Sequence, residues 1–272
     1  MSILIFDSYG GLCNQFMDIN CALNFCINNN IMFSFRFASL RNSDLTSWIN
    51  TNIDNLFDTK FFETFSLYVP FEKIEFELNE NNTFNLNGET SMNILSKDIT
   101  INEIININKK FIIFKQFWVI YDYKQITNCY YKYLLPCNLL LNKYKEIKSN
   151  LKIEDDKYNF LHYRYESDFL RHFHINNLPT LEQLIINNNY SNKELSLYIS
   201  CSDVNKLVNE LTIDKSNIIF KNEDELYDLN FEQKAFIDFM FGKNSFQVFG
   251  HSNSSFSVIL NNLKNTCNFF NL

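Results

Sequence analysis

The chain has 272 residues and a net charge of −7, with 46% hydrophobic and 17% aromatic residues, and its pI is about 5.2. That length and composition fit one large domain or two smaller ones with ample core, and an acidic chain without a basic stripe excludes a nucleic-acid binder. The seven cysteines are odd in number and lack CxxC spacing, so they read as reduced core residues in a reducing compartment rather than as a disulfide or zinc framework.

The first residues, Met1-Ser-Ile-Leu-Ile-Phe-Asp, lack a charged leader region and read as a β-strand over Ser2–Phe6. No apolar run approaches the roughly 20 residues of a membrane span. The expectation is a cytoplasmic chain without a membrane segment. Tyr9-Gly10-Gly11-Leu12-Cys13-Asn14-Gln15 follows, then a helix to about Asn28 with Phe16, Ile19, Leu23, Cys26 and Ile27 on its apolar face. A strand, a Gly-Gly turn and a helix start place free N–H groups and a positive dipole end together, where a phosphate or sugar hydroxyl can sit. The spacing is not GxGxxG, so no dinucleotide fingerprint is present.

Ile31–Phe37 reads as a second strand. Ser39–Glu63 is mixed, with helical turns around Ser43–Trp48 and Asp54–Phe57. Strand-like runs at Ser66–Val69 and Lys73–Leu78 precede an Asn-rich stretch, Asn79–Asn87, that reads as loop. Lys110–Tyr121 is a strongly apolar strand, and Gln125–Lys148 carries helical stretches broken at Pro136. The polar stretch Ser149–Lys157 is the expected domain boundary, giving domains 1–150 and 151–272. Beyond it, strands at Tyr158–Arg164, Leu195–Ser200, Asn217–Phe220 and Phe246–Phe249 alternate with helices at Thr180–Ile186, Asp203–Leu211, Asn230–Phe241 and Ser254–Lys264. Thr180 and Ser202 or Asp203 are the expected caps. This alternation predicts an α/β fold with mostly parallel sheets, whose ligands bind at the carboxyl ends of strands.

Two such ends carry chemistry. In Asn159-Phe-Leu-His-Tyr-Arg-Tyr-Glu-Ser-Asp168, alternation places His162, Arg164, Glu166 and Asp168 on one face for as long as the strand lasts. Arg164 suits a phosphate or carboxylate, and Glu166 or Asp168 would hold it in place. In Gly250-His-Ser-Asn-Ser-Ser-Phe-Ser, the hydroxyls of Ser254 and Ser255 open a helix whose free N–H groups attract an anion. A plain serine cap explains the same residues. Asp238, within an apolar helix, needs a partner, which a guanine base, an Arg or a helix-end amide could each supply. Asp-x-Asp, zinc spacing, a P-loop and a GxSxG elbow are all absent from the sequence.

Taken together, these pieces resemble the GDP-fucose-dependent fucosyltransferases, especially the protein O-fucosyltransferases and the plant O-fucosyltransferase-like proteins. The α-1,2-fucosyltransferases are a near cousin. Gly10-Gly11-Leu12-Cys13-Asn14-Gln15 is similar to the family's N-terminal loop, and His162-Tyr-Arg164-Tyr-Glu166-Ser-Asp168 to its His-x-Arg-x-x-x-Asp motif. Asp238 followed by Ser254-Ser255-Phe256-Ser257 is similar to its C-terminal motif. The resemblance implies a GT-B-like fold of two Rossmann-like domains facing across a cleft, the donor mainly on the C-terminal one. It also implies metal-free, inverting transfer with no cofactor beyond the donor substrate, and a glycan or protein acceptor.

By position, Arg164 would hold the β-phosphate, Ser254, Ser255 and the Phe256 amide would bind the phosphates, and Asp238 would read guanine. His162 would place the base or ribose, and Asn14, with Gly10 and Gly11, would reach the donor. The loop glutamate that serves as base in some members is missing here, so the base is unassigned: Glu166 and Asp18 are the candidates, and a base-poor, dissociative transfer is the alternative. UDP-rhamnose as donor and a non-catalytic nucleotide-sugar or glycan-binding module are the alternatives.

Overall fold

The computed structural model describes residues 2–42, 47–87, 101–119, 121, 126–188, 195–266 and 268–270. The chain divides into two compact units, Met1–Leu140 with Asn230–Gln233, and Leu141–Leu229 with Lys234–Leu272.

The first unit contains β1 (Ile3–Asp7), α1 (Leu12–Asn28), β2 (Met32–Phe35), β3 (Phe37–Arg41), β4 (Trp48–Asn52), α2 (Lys60–Glu63), β5 (Thr83–Asn87), α3 (Ile101–Asn106) and β6 (Phe111–Lys115). Four strands form a parallel sheet in the order β2-β1-β6-β5. Strands β1 (ILIFD) and β6 (FIIFK) are continuous apolar runs because the centre of a parallel sheet is covered on both faces. The Phe6 ring packs on Phe114 and Phe117 at 5.6 and 5.0 Å. Each such buried ring contributes about 1.5–3 kcal/mol.

Helix α1 is buried along most of its length, which accounts for Cys13, Cys21 and Cys26 as core residues. Its asparagines are stitching groups. Asn24 accepts from the N–H groups of Thr127 and Asn128, and Asn20 accepts from that of Tyr130.

Several readings of this half change. Lys73–Leu78 is not a strand: Phe71–Lys73 and Glu75–Glu77 are short 3-10 turns. The Asn79–Asn87 loop instead contains β5, an edge strand paired with β6, where asparagine at an exposed position costs little. Trp48 begins β4, the antiparallel partner of β3; the preceding residues 43–46 lie outside the described residues, as does Gln125.

The second unit contains most of α4 (Asn138–Asn150), then β7 (Tyr158–His162), α5 (Ser167–His172), α6 (Leu181–Asn188), β8 (Ser196–Ser200), α7 (Val204–Glu210), β9 (Ile218–Ile219), α8 (Phe231–Lys243), β10 (Gln247–His251), α9 (Ser255–Lys264) and β11 (Phe269–Phe270). Its five strands are all parallel, in the order β11-β10-β7-β8-β9. Thr180 and Gln183 form a reciprocal capping box at α6. Asp203 caps α7 through the N–H of Lys206. Helix α8 is buried nearly all round at Phe236, Ile237, Phe239, Met240 and Phe241. It packs so closely that a Cβ on Gly242 would lie 2.5 Å from Leu260.

No helix among the described residues is long and apolar enough to cross a membrane. None of the six described cysteines forms a disulfide.

Asp18 on α1 is fully buried, accepting the N–H of Trp118 at 3.1 Å while its other oxygen meets the geometry of a hydrogen bond with no group among the described residues. Burial pushes its pKa up to about 8, against the pull of the Trp118, Tyr9 and Phe117 main-chain N–H groups. The folded protein therefore holds a proton that the unfolded chain has released, so stability falls as pH rises from about 4 to about 8. Asp18→Asn should raise the melting temperature at pH 7.5 by at least ~3 °C, with the gain shrinking toward pH 5. An equal shift at both pH values contradicts this assignment.

Candidate functional site

In the second unit, β7 and β10 run side by side and both end at functional residues. Strand β7 stops at His162, two residues earlier than its apolar pattern suggested, so strict alternation does not carry through Arg164 and Glu166. The pair forms nonetheless. Arg164 Nε donates to Glu166 at 3.1 Å, and the guanidinium lies over the Phe169 ring at 4.4 Å. About 30% of the Arg164 side chain stays exposed, and its Nη groups carry no hydrogen bond among the described residues. The side chain of Asp168 lies outside the described residues.

His162 is buried and shares a 2.9 Å hydrogen bond between Nδ1 and Ser257 Oγ. Its ring sits 4.4 Å from that of Phe256. Burial, followed by the positive charges of Arg164, His251 and Lys221, pulls its pKa well below the ordinary histidine range. It is therefore a neutral imidazole at neutral pH.

The bond to Ser257 exists because of Gly250. A Cβ there would lie 2.8 Å from Ser257 Cβ and 3.5 Å from His162 Cβ. Only glycine lets α9 come this close to β10.

The turn from β10 into α9 holds polar atoms that lack partners. Ser254 is the N-cap of α9 by position, yet its hydroxyl makes no cap bond and has no hydrogen-bond partner although the residue is 2% exposed. The ordinary serine-cap reading therefore fails here. His251 is completely buried, and neither ring nitrogen has a hydrogen-bond partner among the described residues. It packs edge-on against Phe270 and Phe169 at 4.1 and 5.4 Å, and Phe169 is the ring on which Arg164 rests. Burial pulls its pKa down to about 4, helped by the Arg164 charge. The Arg164 main chain opposes this slightly from nearby, without hydrogen-bond geometry to either ring nitrogen. Buried polar groups without partners cost about 1–3 kcal/mol each, and two in one turn, beside the Arg164 guanidinium and a helix N-terminus, form an arrangement chemically suited to an anion. Ser255 is exposed and Phe256 half-buried on the first turn of the same helix.

Asp238 has a different role from the one its sequence suggested. Its carboxylate accepts from Tyr198 Oη at 2.9 Å, Ser200 Oγ at 2.8 Å and Lys221 Nζ at 2.6 Å. It is 4% exposed. Three of about four acceptor positions are occupied, leaving no bidentate face for a base edge. Of the partners the sequence left open, the structure supplies side chains on β8 and a lysine just beyond β9. Breaking such a buried pair on one side costs about 3–5 kcal/mol.

In the first unit, Gly10 adopts φ +94° and Gly11 precedes α1. Gln15, fully buried, pins this turn by donating to the carbonyls of Gly10 at 2.8 Å and Ser39 at 2.7 Å. Asn14 lies directly beneath Gly10. It is half-buried, and its carboxamide carries no hydrogen bond among the described residues. Asp18, the other expected base, is 1% exposed and faces the core.

His251, Ser257 and Lys221 were not among the residues expected from sequence. His251 and Ser257 lay inside the quoted Gly250–Ser257 stretch, and Lys221 immediately follows a strand run. Position at a strand's carboxyl end was the available signal for His251 and Lys221.

Two units, each with a parallel sheet between helices, define an α/β fold of the GT-B-like kind. Solved structures of that fold match nearly the whole chain. POFUT1 in complex with GDP aligns with a TM-score of 0.67 at 11% identity, covering 100% of this chain and 99% of that one. POFUT1 in complex with GDP-fucose gives 0.66 at 11% identity over 100% and 99%. Fucosyltransferase NodZ from Bradyrhizobium gives 0.61 at 8% identity over 96% and 92%. No protein-family model and no curated protein sequence matches the chain.

Gly250→Ala should lower unfolding free energy by about 1–3 kcal/mol through overpacking, read as a lower urea midpoint at unchanged m-value. Gly11→Ala, whose Cβ would meet nothing closer than Arg41 at 4.0 Å, should cost under ~0.5 kcal/mol. Equal costs at the two positions would remove the close-approach argument.

Proposed function

We propose that the chain transfers fucose from GDP-fucose to a hydroxyl of a glycan or protein acceptor, with inversion and without a metal. The observation that carries this reading is the turn at His251–Ser254, where buried polar atoms lack partners beside Arg164 and the start of α9. The likeness in fold to structures that contain GDP and GDP-fucose supports the choice of donor.

In this reading the acceptor oxygen attacks the anomeric carbon from the face opposite the diphosphate. The bond from that carbon to the β-phosphate oxygen breaks, GDP leaves with the electron pair, and the proton of the acceptor hydroxyl passes to water. Arg164 meets the charge that develops on the departing phosphate, and the α9 N–H groups and the Ser254 hydroxyl share it. Donors fixed in advance at the position of developing charge lower the barrier without reorganising. Glu166 acts by holding Arg164; its carboxylate is a positioning group. Neutral His162, locked by Ser257, presents Phe256 and the first turn of α9. Asn14 and the Gly10–Gly11 turn offer a carboxamide and a close backbone approach to the donor. Asp238 supports β8 and Lys221 and does not contact the base.

With Asp238 occupied, selection of the base falls to direct measurement. Thermal shift with GDP, GDP-fucose, UDP and UDP-rhamnose should give stabilisation by the guanosine compounds. A response confined to the uridine pair would transfer the reading to rhamnose, and no response to any would end it. Release of GDP from GDP-fucose separates an enzyme from a binding module. Arg164→Ala should reduce that release at least ~100-fold with the fold intact. Ser254→Ala should leave the melting temperature of the ligand-free protein unchanged or raised, because it removes a buried unpaired hydroxyl, while weakening GDP binding about tenfold. A destabilised apo protein with unchanged GDP affinity would make Ser254 purely structural.

A further inference from the structure

The first unit holds a cavity of about 620 Å³, within the roughly 300–1,000 Å³ usual for small-molecule sites. One wall is the β3–β4 hairpin. Its register sets Arg41 opposite Trp48 and Leu40 opposite Ile49, and neighbours along a strand face opposite ways. The Arg41 and Trp48 side belongs to the glycine turn. Arg41 donates to Glu232 and lies over the Trp48 ring, Trp48 packs on Tyr9 at 5.4 Å, and Arg41 is the nearest neighbour of Gly11. Leu40 and Ile49, on the other side, line the cavity. The hairpin thus separates this cavity from Gly10–Asn14.

The lining has two characters. Leu40, Ile49 and Leu139 supply apolar contact, with Ile49 and Leu139 41% and 64% exposed. The exposed residues Asp54, Lys60, Glu63 and Asn138 line the cavity, and their side chains carry no hydrogen bond among the described residues. They include both donors and acceptors: the Asn138 carboxamide offers two donors and an acceptor, the carboxylates accept and the ammonium donates. An anion would meet Asp54, Asp58 and Glu63 against the single cation Lys60. A polycation would leave the carboxamide donors and Lys60 unused. A ligand dense in hydroxyl groups, each both donor and acceptor, uses the whole wall, and the C–H faces of its rings suit the apolar residues.

We propose that this cavity binds a neutral oligosaccharide, at a site separate from the His251–Ser254 turn. The claim stands without the donor reading. Isothermal titration of the full chain with chitotriose, maltotriose, spermidine and inorganic phosphate tests it. The expected result is saturable binding of at least one trisaccharide, weakened at least ~tenfold in the Lys60→Ala/Asn138→Ala double variant. Arg164→Ala should bind the sugar as the wild type does, and the double variant should keep its response to GDP, so the two sites fail or stand separately. Both substitutions are at exposed positions, and an unchanged melting temperature confirms an intact fold. Three results overturn the proposal: no saturable binding of either trisaccharide, binding of spermidine or phosphate in their place, or sugar binding that the double variant leaves unaltered.

Discussion

The close approach of α9 to β10 at Gly250 is what the second unit's chemistry depends on. Without a Cβ at Gly250, Ser257 descends far enough to bond His162 across two adjacent strand ends. That bond fixes the ring on which Phe256 packs and, with it, the direction in which the first turn of α9 presents its N–H groups. A helix N-terminus attracts anions only where its orphan donors are held in place. Here the holding group is a neutral imidazole. A charged one would add a third positive group beside Arg164 and Lys221 in a desolvated pocket.

The surrounding electrostatics divide into a satisfied part and an unsatisfied part. Asp238 and Lys221 neutralise each other in the core with Tyr198 and Ser200 completing the carboxylate. Arg164 is held through its Nε by Glu166 and stacked on Phe169, and its outer nitrogens carry no hydrogen bond among the described residues. The His251 ring nitrogens and the Ser254 hydroxyl are buried without a hydrogen bond among the described residues. A native protein tolerates such costs where a ligand repays them, so the mismatch between these neighbouring groups marks the site more clearly than any single residue type.

Much of this was legible in the sequence. The βα alternation after residue 158 gave the second sheet, and the capping residues Thr180 and Asp203 stand where helix starts require them. The glycine turn and the Arg164–Glu166 pair also follow from local pattern. The first unit was harder to read, because Thr83–Asn87 is an edge strand whose asparagines mimic a loop, and the Asn-, Ser- and Asp-containing stretch 42–47 between β3 and β4 suits a helical turn as well as a hairpin link. The partners of Asp238 were illegible for a different reason: they come from β8 and from Lys221, and no local spacing announces a contact made between elements. His251 was overlooked because a buried histidine without a partner is distinguished only by what surrounds it.

The central claim is that Arg164 and the start of α9 form a diphosphate site. Isothermal titration of the wild type and Arg164→Ala with GDP and GMP tests it most directly, since the two nucleotides differ only in the β-phosphate. The account predicts that the wild type binds GDP at least ~tenfold more tightly than GMP and that Arg164→Ala binds the two nearly alike. A GDP preference that survives in Arg164→Ala, or a wild type that binds neither nucleotide, contradicts it.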